Sequence, residues 1–131
     1  MQLRIPGLMR PEAFQIDTGD IGVSDGVLRT ELFDYLCKQR KLKAVGNGKS
    51  FRLSSASGIV KVDGVYENSL GCVDDISIGP FRHHNLLFRR LSQESSLGIE
   101  FWSRYKVTFD FPNGAIYLKR GCEFYRTNNK I

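Results

Sequence analysis

Phe14-Gln15-Ile16-Asp17-Thr18-Gly19 is the stretch from which the rest of the chain is read. Phe14 and Ile16 alternate about Gln15 with the period of a half-buried strand, and Gly19 lets the backbone double back directly after a carboxylate. Asp17 is therefore expected at a strand end, partly buried, where the chain turns. A carboxylate held there beside backbone N–H groups and a hydroxyl keeps its orientation and can activate a water molecule. Asp-Thr-Gly is also an ordinary turn tripeptide, so its meaning depends on its surroundings.

Upstream, Gln2 to Ile5 suits a short first strand that Pro6-Gly7 ends. Downstream, Gly22, Ser24, Asp25 and Gly26 read as a continued loop. From about Thr30 to Lys41 the period becomes helical: Leu32 pairs with Leu36 and Phe33 with Cys37, Thr30 is placed as N-cap, and Glu31 suits the first turn. This helix should cover one end of a sheet. The densest basic run, Lys38-Gln39-Arg40-Lys41-Leu42-Lys43, fits the solvated last turn of that helix better than a surface for nucleic acid or an acidic partner.

The period then changes to two. Lys49-Ser50-Phe51-Arg52-Leu53 and Gly58-Ile59-Val60-Lys61-Val62 alternate on either side of Ser54-Ser55-Ala56-Ser57, which predicts a hairpin whose tip has little to pack and moves readily. Strands follow at Val73-Asp74-Asp75-Ile76-Ser77-Ile78, ended by Gly79-Pro80, and at about Asn85 to Phe88. Ser96 to Tyr105 is helix-like and opened by Gly98. Lys106 to Phe111 and Ala115 to Leu118 flank Pro112-Asn113-Gly114, the strongest hairpin signal in the chain. Many short strands with regular turns predict a mostly-β domain.

The chain has 131 residues, enough for one domain with its own modest core. It contains no apolar run near the length of a membrane span and no apolar leader in its first residues, so the default location is cytoplasmic and no membrane partner is expected. Cys37, Cys72 and Cys122 are three in number and widely spaced, which suggests free thiols rather than a disulfide framework or a zinc site. The net charge of +5 reflects 19 basic against 14 acidic residues.

Two blocks together carry a family resemblance: Phe14 to Gly19, and Leu97-Gly98-Ile99-Glu100-Phe101-Trp102-Ser103-Arg104-Tyr105 continuing to Leu118. They resemble the single-domain, retropepsin-like aspartic proteases, in which an Asp-Thr-Gly strand is followed by a β-hairpin flap and then by a hydrophobe-Gly motif opening a short helix beside the first loop. The resemblance implies a closed β-barrel of the acid-protease fold with one or two short helices over residues 1–120, followed by a polar C-terminal tail at 121–131; the polar composition of Arg126 to Lys130 by itself predicts a frayed end. It implies that Asp17 is the catalytic carboxylate and that Thr18 braces paired turns. Gly19 would lie near substrate, Leu97-Gly98 would support the active-site loop, and the flap tip would lie at Ser55, Ala56, Ser57 and Gly58. It further implies an aspartic endopeptidase hydrolysing peptide or protein substrates without cofactor, metal or covalent intermediate, with apolar substrate side chains filling pockets.

The chemistry needs two carboxylates that share one proton, a pair the handling of like charges makes titrate as a unit. This chain has one Asp-Thr-Gly, and Ser24-Asp25-Gly26 and Asp63-Gly64 do not repeat it, so a homodimer with Asp17 from each subunit at the two-fold axis is expected. Two positions depart from the family: Asp20 stands where Ala, Ser or Thr is usual, and Ser96 replaces a hydrophobe before Leu97-Gly98. A carboxylate at position 20 costs little if it points outward.

Other readings are weaker. The rival class is a catalytically inactive, protease-like dimerisation or peptide-binding module, and a third is a basic nucleic-acid binder. His83 and His84 should face opposite sides of a strand, without a ligand set for metal. Cys37 reads as a packing residue, and Phe101, Trp102, Tyr105, Phe109 and Phe111 as core rather than a platform for bases.

Overall fold

In a computed structural model of the chain, residues 1–126 are described apart from Ile21, Val23, Ser92 and Cys122; at 50–56, 62–63, 65–66 and 123–126 the description is of the backbone. Three very short strands open the chain, β1 (Gln2–Leu3), β2 (Glu12–Ala13) and β3 (Gln15–Ile16), and β1 pairs with β2. Strand β4 (Gly26–Arg29) leads into helix α1 (Thr30–Lys38). Leu32, Phe33 and Leu36 are buried in α1, and Cys37 packs half-buried against the same core, as their four-residue spacing requires. Arg29, not Thr30, is the N-cap, and no side chain caps the helix.

The helix ends three residues earlier than its periodicity suggests, because Arg40 takes a positive φ of 58° and turns the chain. Only Lys38 of the basic run lies in the last helical turn, while Lys43 already belongs to β5 (Leu42–Ala56). Strand β5 folds back on β6 (Ile59–Val73) through a two-residue turn at Ser57-Gly58, both with positive φ. Positive φ at both central residues matches the right-handed twist of the flanking strands. The hairpin thus occurs where alternation places it, but Ser54, Ser55 and Ala56 belong to the strand.

After β6 the expected Val73–Ile78 strand is split, since Asp75 has φ 60° and β7 covers Ile76–Ile78. Strands β8 (Phe81–His83), β9 (Leu86–Leu91) and β10 (Ser96–Leu97) follow, then helix α2 (Ile99–Trp102). Next come β11 (Lys106–Asp110), β12 (Ala115–Arg120) and β13 (Glu123–Arg126). The predicted hairpin between β11 and β12 is present, and β13 adds a third strand inside the segment expected to be tail.

The main sheet has six strands in the order β3-β10-β4-β9-β6-β5. It has two edges, β3 and β5, and the expected closed barrel is not found among the described residues. Among the described residues the fold is mostly β with two helices. Its core gathers Leu28, Leu36, Phe88, Leu97, Phe101 and Leu118, all fully buried, from α1, the main sheet, α2 and the three-stranded sheet. Phe101, Trp102 and Tyr105 join it, but Phe109 and Phe111 stack on each other outside, Phe111 being 74% exposed. Beyond Leu70, β6 pairs only with β5, so the hairpin arms leave the sheet. The dozen or so residues in each free arm reach roughly 40 Å. Among the described residues no helix is long and apolar enough to cross a membrane.

Candidate active site

Strand β3 lies at the edge of the main sheet and is held there by β10 in parallel, Gln15 opposite Ser96 and Ile16 opposite Leu97. The register continues past the strand: the Asp17 N–H donates to the Leu97 carbonyl at 3.0 Å. That carbonyl also accepts the Trp102 indole N–H at 2.9 Å, so both of its lone pairs fix neighbours. Asp17, Thr18 and Gly19 are exposed, not partly buried. A strand of two residues at a sheet edge ends before it can bury the turn. The Gly19 N–H donates to Asp17 Oδ1 at 3.1 Å, and the Asp20 N–H to the Asp17 carbonyl at 3.1 Å. An oriented carboxylate beside a backbone donor, open to solvent, results.

Leu97-Gly98 backs this turn. The Ile99 N–H donates to the Asp20 carbonyl at 3.0 Å, which ties the first residue of α2 to the turn. At Gly98 an added Cβ would stand 2.8 Å from that carbonyl oxygen and 3.0 Å from Asp20 Oδ2, so only glycine allows the approach. Gly26, expected in a loop, is instead in β4 and pressed against β10: a Cβ there would be 2.1 Å from the Ser96 carbonyl oxygen.

Asp20 does not point outward. Its carboxylate forms an ion pair with Arg89 of β9, and the two side chains are only 12% and 13% exposed. Arg89 Nε also donates to Ser24 Oγ at 3.0 Å, so one guanidinium joins both ends of the loop that follows Asp17. Asp25 is buried as well. One oxygen accepts the Leu87 N–H at 2.8 Å, the other accepts Arg104 Nη1 at 2.6 Å, and its carbonyl accepts the Gly98 N–H. With both oxygens engaged, Asp25 is a structural bracket.

An open cleft of about 960 Å³ runs alongside Asp17. Asp17, Gly19 and Asp20 line it on one side, with Gln15, Val27, Arg29, Glu31, Arg89, Leu91, Gln93, Glu94 and Ser96 making up the remaining described wall. The exposed wall is about equally polar and apolar, where apolar pockets were expected; Val27 and Leu91 are its aliphatic members among the described residues. Arg29 is held by Glu12 at 2.7 Å and by Glu31 at 3.2 Å, and hydrogen bonding to Glu12 raises its pKa.

Protein-family models, curated proteins and solved structures yield no match to the chain. Its function rests on the geometry.

The structure brings together Asp17, Thr18, Gly19, Leu97 and Gly98, which sequence reading grouped. It does not bring the flap tip to them: Ser57 and Gly58 are exposed and are not in the cleft wall, and the side chains of Ser55 and Ala56 lie outside the description. Sequence reading missed Gln15, Arg29, Arg89, Glu94 and the bracket made by Asp25 and Arg104. The Asp20–Arg89 contact spans 69 positions and the Asp25–Arg104 contact 79, distances over which a single sequence carries no pairing signal.

Proposed function

We propose that the chain is an aspartic endopeptidase of retropepsin-like architecture that works as a homodimer, each subunit contributing Asp17. The observation that carries this reading is the Asp17 carboxylate itself. It is exposed at a cleft, oriented by the Gly19 N–H, and mounted on a turn locked to Leu97-Gly98.

In the pair, one carboxylate is ionised and the other protonated. The ionised group takes a proton from water as the water oxygen attacks the peptide carbonyl carbon, while the second carboxyl protonates the carbonyl oxygen, giving a neutral tetrahedral diol. The first carboxyl then passes its proton to the leaving nitrogen as the C–N bond breaks, and the second takes a proton from a diol hydroxyl as the carbonyl re-forms, which leaves the pair with its one shared proton. Thr18, exposed beside Asp17, would brace the turn of the other subunit. The long hairpin of β5 and β6 has the reach to cover a bound peptide, offering strand-like backbone hydrogen bonds.

Cleavage of an unbiased peptide library by wild type and Asp17→Asn, from acidic to neutral pH, with the solution mass recorded, tests the proposal. Turnover by wild type alone is the expected result. Removing the carboxylate that activates water should lower the rate by at least about a thousandfold while leaving the fold intact. Cleavage by the variant at the wild-type rate would remove Asp17 from the mechanism. Failure of both proteins, folded and dimeric, would replace the peptidase by a peptide-binding module.

A further inference from the structure

Within the cleft, the wall next to Asp17 has a definite chemistry. Gln15 stands two residues before Asp17 on β3, in register with Ser96 of β10. Its backbone N–H donates to the Ser95 carbonyl at 2.9 Å, which fixes where its side chain leaves the strand. From there the Gln15 amide reaches across the cleft wall and hydrogen-bonds the Glu94 carboxylate. Amide and carboxylate thus form one exposed polar surface immediately beside the reacting carboxylate.

The charge around this surface is sorted. The two cleft cations are each committed to carboxylates of the same chain, Arg29 to Glu12 and Glu31, and Arg89 to Asp20. Of the described wall residues, Asp17, Asp20, Glu31 and Glu94 are acidic against Arg29 and Arg89, a balance of −2. The chain as a whole carries +5. The cleft is therefore a local reversal of the molecular charge.

We infer that Gln15 and Glu94 determine specificity, and that they select a peptide bearing a lysine or arginine side chain next to the bond presented to Asp17. A cationic head fits because the carboxylate and the amide oxygen are both acceptors. An apolar side chain would leave this polar wall without water or partner, and an acidic one would meet like charge. The inference rests on the proposed peptidase site but concerns which peptide enters it.

The test separates the two. Binding of a labelled peptide series, identical except for lysine, norleucine or glutamate at one position, is measured on Asp17→Asn at low and high salt, and cleavage of the same series is measured on wild type. The lysine peptide should bind about fivefold more tightly than the norleucine peptide, the yield of one solvent-exposed charged contact. That advantage should shrink with salt and vanish in Glu94→Gln, whose substitution lies on an exposed side chain and leaves the melting temperature unchanged. Gln15→Leu should shift preference towards norleucine.

Selective binding of lysine peptides without any cleavage supports the specificity and overturns the peptidase reading. Cleavage with norleucine or glutamate preferred, or a lysine preference that survives Glu94→Gln, overturns the specificity and leaves the peptidase. Absence of both binding and cleavage overturns both.

Discussion

Gly98 shows how a single missing side chain sets the site. The atom an added Cβ would meet first is the backbone carbonyl oxygen of Asp20, at 2.8 Å, which cannot swing away as a flexible side chain would. Gly98→Ala should therefore push the Asp17 turn off α2 and cost about 1–3 kcal/mol, read as a lower denaturant midpoint. An unchanged midpoint would mean the turn is not seated as described. His83 gives a second residue-level test. It is buried, hydrogen-bonded through Nε2 to the Tyr105 hydroxyl, and set against the Phe101 ring. Burial, followed by the nearby Arg120 and Arg104 charges, pushes its pKa from 6.5 down to about 4, against a smaller opposing effect of Asp25.

Native His83 is then neutral where the unfolded chain already binds a proton. Its stabilising contribution is complete above the unfolded value and is lost as pH falls through the folded one, up to about 3 kcal/mol. Unfolding free energies measured from pH 7 to pH 4 should fall more steeply for wild type than for His83→Gln. Parallel curves would take His83 out of the acid sensitivity.

At the level of elements, β9 is the beam to which the loop after Asp17 is tied, through Arg89. Replacing Arg89 by Gln leaves the Asp20 carboxylate in a largely buried place without its cation, which should destabilise by roughly 3 kcal/mol. Asp20→Asn in the same background should recover part of that loss, since the stranded charge is then gone. A double variant no more stable than Arg89→Gln would show that Arg89 matters through other contacts. The elements also show what local pattern can and cannot specify. Alternation about Ser54-Ser55-Ala56-Ser57 is enough to identify a hairpin, because cross-strand pairing needs only period two and a turn. The end of α1 and the break after Val73 were not legible, because both are made by non-glycine residues, Arg40 and Asp75, held in positive φ by the surrounding chain.

For the whole molecule, the proposed peptidase, with one Asp-Thr-Gly per chain, would make activity a property of two chains. If subunits exchange, an equal mixture of wild type and Asp17→Asn forms wild-type pairs in about a quarter of its dimers. The activity per wild-type chain should then be roughly half that of wild type alone, whereas a monomeric enzyme would lose nothing. The sedimentation mass should rise with concentration to that of two chains.

Sequence alone determined the parts whose causes are local. The short strand ending in Asp17-Thr18-Gly19, the amphipathic α1, the two hairpins and the grouping of Leu97-Gly98 with a short helix all follow from period and turn chemistry. Tertiary structure decided the rest: that Asp17 is exposed, that Asp20 turns in to Arg89, that Asp25 is a bracket, that the main sheet stays open, and that the described cleft wall carries an excess of acidic residues. Each of these depends on charges and carbonyls brought together from positions far apart in the chain, and the energy of such contacts exists only once the sheet has placed them within hydrogen-bonding distance.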